Sequence, residues 1–185
     1  LEATFRYTKF RYSGIDGDFV LDGYLDKSFD FKLRLSEESW TWPSIAVGIQ
    51  DLGGTGLLSS EFLVATKRMG AFDFTLGLGW GRQGARGDLD APLSGISDRF
   101  ETRNSRTGDE VGDFELDRLF AGDAAFFGGV RWSPAGSPWS VMVEREGNDY
   151  QLEPFGNNLE VEWPVNLGVA YEGRWFGARA GWERG

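Results

Sequence analysis

A chain of 185 residues has the length of one domain. Lys and Arg total 19 and Asp and Glu 29, a formal charge of −10 with no basic block, which excludes a nucleic-acid-binding surface. The chain has no Cys and no His, so disulfides, thiolate catalysis, Ser-His-Asp triads and HExxH zinc sites are excluded too.

What remains points to strands. Aromatic residues make up 15% and Gly numbers 27, yet the mean hydropathy is −0.35. Aromatic richness argues against disorder. No run approaches the ~18 apolar residues that a membrane helix needs. In chain order, Glu2–Tyr12 is aromatic-rich but slips phase between Tyr7 and Phe10. Ser28–Leu35 sets Phe29, Phe31, Leu33 and Leu35 against Ser28, Asp30, Lys32 and Arg34. Ser44–Gln50 sets Ile45, Val47 and Ile49 against Ala46, Gly48 and Gln50, and Glu61–Lys67 follows. The clearest strand is Phe72–Trp80, with Phe72, Phe74, Leu76, Leu78 and Trp80 on one face and Asp73, Thr75, Gly77 and Gly79 on the other. Ala124–Trp132, Trp139–Arg145, Val165–Glu172 and Trp175–Trp182 bring the count to nine. No segment keeps a 3.6 period, so little helix is expected.

The connections alternate in length. Those near 36–42, 68–71, 133–138 and 172–174 are short; those near 14–23, 51–59, 82–122 and 147–159 are longer. A soluble sandwich has no reason to sort its loops this way. An up-and-down transmembrane β-barrel does, with short periplasmic turns and long outer loops. The expected fold is therefore all-β: part of an antiparallel up-and-down transmembrane barrel of about nine strands. Residues 1–185 form one segment, and 82–122 a long outer loop within it. Phe29, Phe31, Leu33, Phe74, Leu76, Leu78, Val165, Leu167 and Val169 would face lipid. Asp30, Lys32, Arg34, Gln50, Asp73, Arg131 and Asn166 would face the lumen. Trp40, Trp42, Trp80, Trp132, Trp139 and Trp163 sit at or beyond strand ends, where an interfacial aromatic girdle belongs. The chain starts at Leu1 without a signal pattern and stops at Gly185 just after a strand-like run. Single-chain bacterial barrels have even strand numbers, so nine reads as an internal stretch of a longer barrel.

Several motifs have a chemical and a plain reading. Gly79–Gly84 matches GxGxxG, but no helix pattern follows, so close packing at a strand end is the better account. Asp51–Gly56 is either an anion-holding nest of N–H groups or a Gly-rich connector. Asp16/Asp18 and Asp88/Asp90 lack the spacing of an EF-hand. The 82–122 segment mixes nine acids with six Arg, and it plugs the lumen, covers the mouth or is mobile. Its Arg86, Arg99, Arg103 and Arg106 suit anionic sugars or lipopolysaccharide phosphates. Glu61, Asp73, Glu144 and Glu172 would share the polar face, but no spacing selects a hydrolytic pair. No catalysis, cofactor or metal is expected.

The run Pro43–Leu57, with its Gln50-Asp51-Leu52-Gly53-Gly54-Thr55-Gly56 core, resembles a signature of the YjbH family. Ser60–Lys67, Leu76–Gly81, Phe120–Gly122, Phe127–Val130, Glu144–Tyr150 and Trp182–Gly185 are similar to further blocks of it. The family comprises outer-membrane β-barrel proteins, often lipoproteins, encoded with exopolysaccharide or capsule genes. Its members are several times longer and carry a leader and lipid-attachment cysteine that this sequence lacks. The resemblance implies the Gram-negative outer membrane and a passive conduit or scaffold role in exopolysaccharide export or surface deposition. It implies lipid and lipopolysaccharide as surroundings, polysaccharide and secretion-locus proteins as partners, and a special loop at Asp51, Gly53, Gly54, Thr55, Gly56 and Glu61. The alternative is a soluble β-sandwich that binds carbohydrate.

Overall fold

The computed structural model describes residues 1–13, 20–104, 116–151, 159, 161 and 163–183. Nine strands lie in one antiparallel sheet in chain order: β1 (Glu2–Ser13), β2 (Val20–Ser36), β3 (Ser44–Leu52), β4 (Ser60–Met69), β5 (Phe72–Gly81), β6 (Ala124–Trp132), β7 (Trp139–Arg145), β8 (Val165–Glu172) and β9 (Gly177–Trp182). The described helical structure consists of 3₁₀ turns at Arg82–Gly84, Asp98–Phe100 and Leu116–Arg118. No described helix is long and apolar enough to cross a membrane. The sheet is open. β1 and β9 each have one hydrogen-bonded neighbour, so these strands form no closed barrel by themselves. Nor is there a sandwich, because all nine described strands belong to the same sheet.

Two boundaries differ from expectation. β2 begins at Val20, so 20–27 is strand and not connector, and the β1–β2 connection shrinks to 14–19. Pairing to β1 recruits those residues, from Leu25 opposite Lys9 to Val20 opposite Ser13. β9 begins at Gly177, since Trp175 lies in the turn. The phase slip of the first strand has a physical counterpart in an irregularity between Phe10 and Arg11. At the tightest turn, Gly70 has φ +64°, as the first position of a two-residue hairpin requires.

Register assigns the faces. Opposed residues of an antiparallel pair share a side. Lys32 meets Gly48, Gly48 meets Phe62, Phe62 meets Gly79 and Gly79 meets Ala125. Asp73 meets Arg131 and Glu144 meets Asn166. The proposed lumen set therefore lies on one face and the proposed lipid set on the other. On the polar face, Glu2, Asp26, Asp30, Asp73, Glu144 and Glu172 are matched in number by Arg6, Lys32, Arg34, Arg68, Arg131 and Arg179. Ion pairs link Arg6 to Asp30 at 3.1 Å and Arg179 to Glu172 at 3.0 Å. The excess of acids lies elsewhere in the chain.

The apolar face has no cover. Phe5, Phe29, Leu33, Leu63, Phe74, Leu76, Phe126, Val130, Val141, Val143, Leu167 and Val169 are exposed on seven of the nine strands. The buried apolar residues are Ala46, Trp80, Ala121, Ala124, Ala125 and Ala170, which is no ordinary core. The accessible surface of 12382 Å² exceeds the ~8,900 Å² expected of a 20.6 kDa globule. The excess is the uncovered sheet face. Of the expected girdle, Trp40, Trp42, Trp132, Trp139 and Trp163 are exposed near strand ends. Trp80 is a correction: it is 3% exposed, packed edge-on against Phe120 with ring centroids 5.2 Å apart.

Candidate functional site

The built part of the molecule is the end of the sheet that carries the long loops. Here β3 stops at Asp51–Leu52 and the Gly-rich connector turns back towards β2. Asp51 takes φ +61°, a conformation that Asp tolerates better than most residues. Its N–H donates to Asp30 Oδ1 at 2.9 Å, and its Oδ2 accepts the Leu58 N–H at 2.9 Å. Asp26, fully buried, accepts the Thr55 N–H at 2.9 Å. Arg6 holds the far side through Asp30 and through Ser28 Oγ at 3.2 Å. A Cβ at Gly54 would fall 1.9 Å from Asp51 Oδ1 and 2.7 Å from Ser28 Cβ, so only glycine fits there. The loop is thus more than a connector, but it is no open anion nest: carboxylates of the chain itself already take the Thr55 and Leu58 N–H groups. Ser60 Oγ donates to Gln50 Oε1 at 2.6 Å and ties the base of the turn.

Glu61 belongs to a second cluster, on the opposite face. It pairs with Ile49 and Trp80 and so lies on the apolar side. This corrects the expectation that it shares the polar face with Asp73, Glu144 and Glu172. Glu61 is 1% exposed and receives a two-pronged ion pair from Arg103, Nη1 to Oε2 at 2.6 Å and Nη2 to Oε1 at 3.0 Å. Arg103 also donates to Ser59 Oγ and to the Arg118 carbonyl at 3.2 Å. The Phe120 N–H donates to Glu61 Oε2 at 3.0 Å. A lone buried carboxylate would cost several kcal/mol, and these donors offset that cost. Both described arms of the long loop, 98–104 and 116–122, are thereby pinned over the ends of β4 and β5.

The start of the same loop goes the other way. A Cβ at Gly79, which points to the polar face, would meet Gln83 Cγ at 2.9 Å; one at Gly147 would meet the Gln83 carbonyl at 2.3 Å. The Arg86 N–H donates to the Gly147 carbonyl at 3.0 Å, and its guanidinium to the Asn148 carbonyl at 3.2 Å. Residues 82–86 therefore cap the polar face, and the GxGxxG glycines serve close packing. Beyond them, Leu89 bridges to Ala124 where β7 has ended. Asp88 grips Arg145 through two contacts of 2.8 Å and accepts the Phe126 N–H at 2.8 Å. The Arg145 hydrogen bond holds the Asp88 carboxyl below the usual carboxylate range; partial burial opposes this and the Phe126 N–H adds to it.

So the long loop is anchored on both faces. Arg103 is held by Glu61, and Arg86 donates to the Gly147 and Asn148 carbonyls of the β7–β8 connection, which ties down two of the four Arg expected to meet anionic sugars; Arg99 stacks over Phe100. Arg106, Asp16 and Asp18 lie outside the described residues. Among the described residues no group of three or more His, Cys, Asp or Glu side chains is placed to hold a metal ion. Sequence reasoning missed the Arg103–Glu61 pair, the Asp26–Thr55 contact and the Asp88–Arg145 clamp. The partners lie 42, 29 and 57 positions apart, beyond any local pattern.

On the polar face, midway along β5 to β7, a groove of about 560 Å³ is lined by Asp73, Thr75, Phe127, Arg131 and Glu144. Phe127 lies down across it, and Phe62 lies down across the adjoining pair β3 and β4. The tip of Phe62 reaches within 2.2 Å of where a Gly48 Cβ would stand, and that of Phe127 within 2.2 Å of a Gly77 Cβ. Opposed Cβ atoms are ~5 Å apart, so each ring spans the gap to its neighbouring strand.

The described strands thus make an all-β protein of one open antiparallel meander, with one polar face, one largely bare apolar face and loops anchored at one end. The chain belongs to the YjbH family: the family model, described as exopolysaccharide biosynthesis protein YbjH, matches residues 1–185. Among curated proteins, the uncharacterized lipoprotein YjbH of Escherichia coli (strain K12) is 42% identical over 189 residues. That alignment covers 100% of this chain and 27% of the relative, so the chain spans about a quarter of that protein's length. No solved structure matches.

Proposed function

We propose that this chain is a stretch of outer-membrane β-barrel wall within a longer polypeptide, and that it assists export or surface deposition of exopolysaccharide as a passive conduit or scaffold. The observation that carries the reading is the bare apolar face, which runs across successive strands while the opposite face balances its charges. A soluble protein does not leave such a patch open. Lipid covers it without a second protein layer, and a barrel interior keeps the polar face wet. The loop ends then face outward and the short turns face the periplasm. The family supplies the pathway, and the lipoprotein relative suits an envelope location. Lipopolysaccharide would surround the outer rim. No catalytic step is assigned to these residues.

This chain contributes no native cysteine that would compete with an introduced one. In outer membranes holding the full-length protein, the Thr75→Cys variant should react with a water-soluble maleimide. The Leu76→Cys variant should react only after detergent is added. Equal labelling of both before detergent, or recovery of the full-length protein in the soluble fraction, would overturn the assignment.

A further inference from the structure

We infer that the groove on the polar face is a subsite for an uncharged glycan, formed by Asp73, Thr75, Phe127, Arg131 and Glu144. The inference rests on the reading above that this face is wet. A sugar ring presents two surfaces: a rim of hydroxyls, each both donor and acceptor, and faces made of C–H groups. The groove offers a match to both. Asp73 and Glu144 accept, Arg131 donates, and Thr75 does either. Phe127 supplies an apolar ring between them, held across Gly77 and met at right angles by Phe62 (88°, centroids 6.3 Å). Its volume of about 560 Å³ falls among the ~300–1,000 Å³ of small-molecule sites. The few polar groups around an aromatic floor follow the same pattern.

Charge selects the class of glycan. Asp73 and Arg131 stand directly opposite each other. Arg131 also donates to Ser140 at 3.2 Å, and Asp73 is 3.8 Å from Arg68. Along the polar face, acids such as Asp30 and Asp73 stand beside bases such as Arg6 and Arg131, while the chain carries −10. A polyanionic chain would find Arg131 already opposite Asp73 and would meet the Asp73 and Glu144 carboxylates on a chain of net negative charge. Arg103, which could have favoured such a chain, is engaged by Glu61. An uncharged chain meets neither penalty. It would slide past balanced dipoles that hold it weakly, which suits passage better than capture.

The test uses the full-length protein in detergent micelles, with the Thr75→Cys variant as reporter. The probes are neutral oligosaccharides of glucose, of galactose and of N-acetylglucosamine, against an oligogalacturonate of equal length. A neutral probe at about ten times its Kd should slow maleimide labelling about tenfold. The Lys32→Cys variant, remote on the same face, should be unaffected. Adding Phe127→Leu, which keeps Gly77 covered but removes the ring, should abolish the protection, while Glu144→Gln should weaken it. The oligogalacturonate should protect little. No protection by any neutral probe, or stronger protection by the oligogalacturonate, overturns the inference and leaves the wall assignment standing. No labelling of Thr75→Cys even without glycan overturns the wet-face reading and the subsite with it.

Discussion

Arginine at Leu76 and arginine at Thr75 differ by one position along β5 and by everything else. Leu76 is 63% exposed on the apolar face. It is four steps from Phe72 in a ten-residue strand, which is about 13 Å along the chain at ~3.4 Å per residue. A barrel strand tilts by ~40°, so this is about 10 Å of depth in an apolar band ~25 Å tall. In the proposed barrel wall Leu76 would therefore lie within a few ångströms of the bilayer midplane. Arginine there should cost about 2–4 kcal/mol, or roughly 30- to 700-fold in the folded population at ~1.4 kcal/mol per decade. Thr75→Arg projects into the wet face and should stay within about 0.5 kcal/mol. In water, an exposed Leu76 would tolerate the change equally well. Urea titration of the full-length protein refolded into lipid vesicles measures both costs. A difference below about 0.5 kcal/mol would refute the lipid-facing assignment.

The loop anchors make two further predictions. Arg103→Ala leaves Glu61 buried without its cation and should weaken the docked loop by about 3–5 kcal/mol, read as faster hydrogen exchange at the Phe120 and Gly122 N–H groups, which donate to Glu61 and to Phe100. Replacing both partners by apolar residues (Glu61→Leu with Arg103→Met) should recover most of that loss, and failure to do so would show that the pair is not the anchor. The depressed Asp88 carboxyl gives the clamp to Arg145 a defined pH window. Its stabilisation is complete above the unfolded value near ~3.9 and is lost only as pH falls through the lower folded value. Exchange at the Phe126 N–H, corrected for its intrinsic rate, should thus be flat from neutral pH to about 5 and rise below about 4; Asp88→Asn should remove that rise.

Period-two patterning located β2, β3, β5 and β8 outright, because a sheet with one apolar and one polar face imprints its alternation on its strands, while Glu2–Tyr12 was legible by its aromatic richness despite its phase slip. It also sorted Phe74, Leu76 and Val169 from Asp73, Arg131 and Asn166, since facing depends only on parity once the pairing has no slip. Loop lengths were legible for the same reason. The early start of β2 was not: the 20–27 stretch, Val-Leu-Asp-Gly-Tyr-Leu-Asp-Lys, reads as a connector until β1 offers it a partner. Trp80 looked like a girdle residue by position and is buried because a loop from elsewhere folds over it.

Composition and alternation by themselves determined an all-β chain, its strand number, its two faces and the lack of imidazole and thiolate groups among these residues. These are local properties, written in neighbouring residues. Tertiary structure alone decided that the sheet stays open, that Glu61 turns to the apolar side beneath Arg103, and that the Gly-rich loop closes its N–H groups on Asp26 and Asp51. It also decided which polar residues meet in one groove. Contacts of this kind join positions up to 62 apart in the chain; their energy comes from desolvation and charge pairing across strands, and neither quantity exists until the strands are side by side.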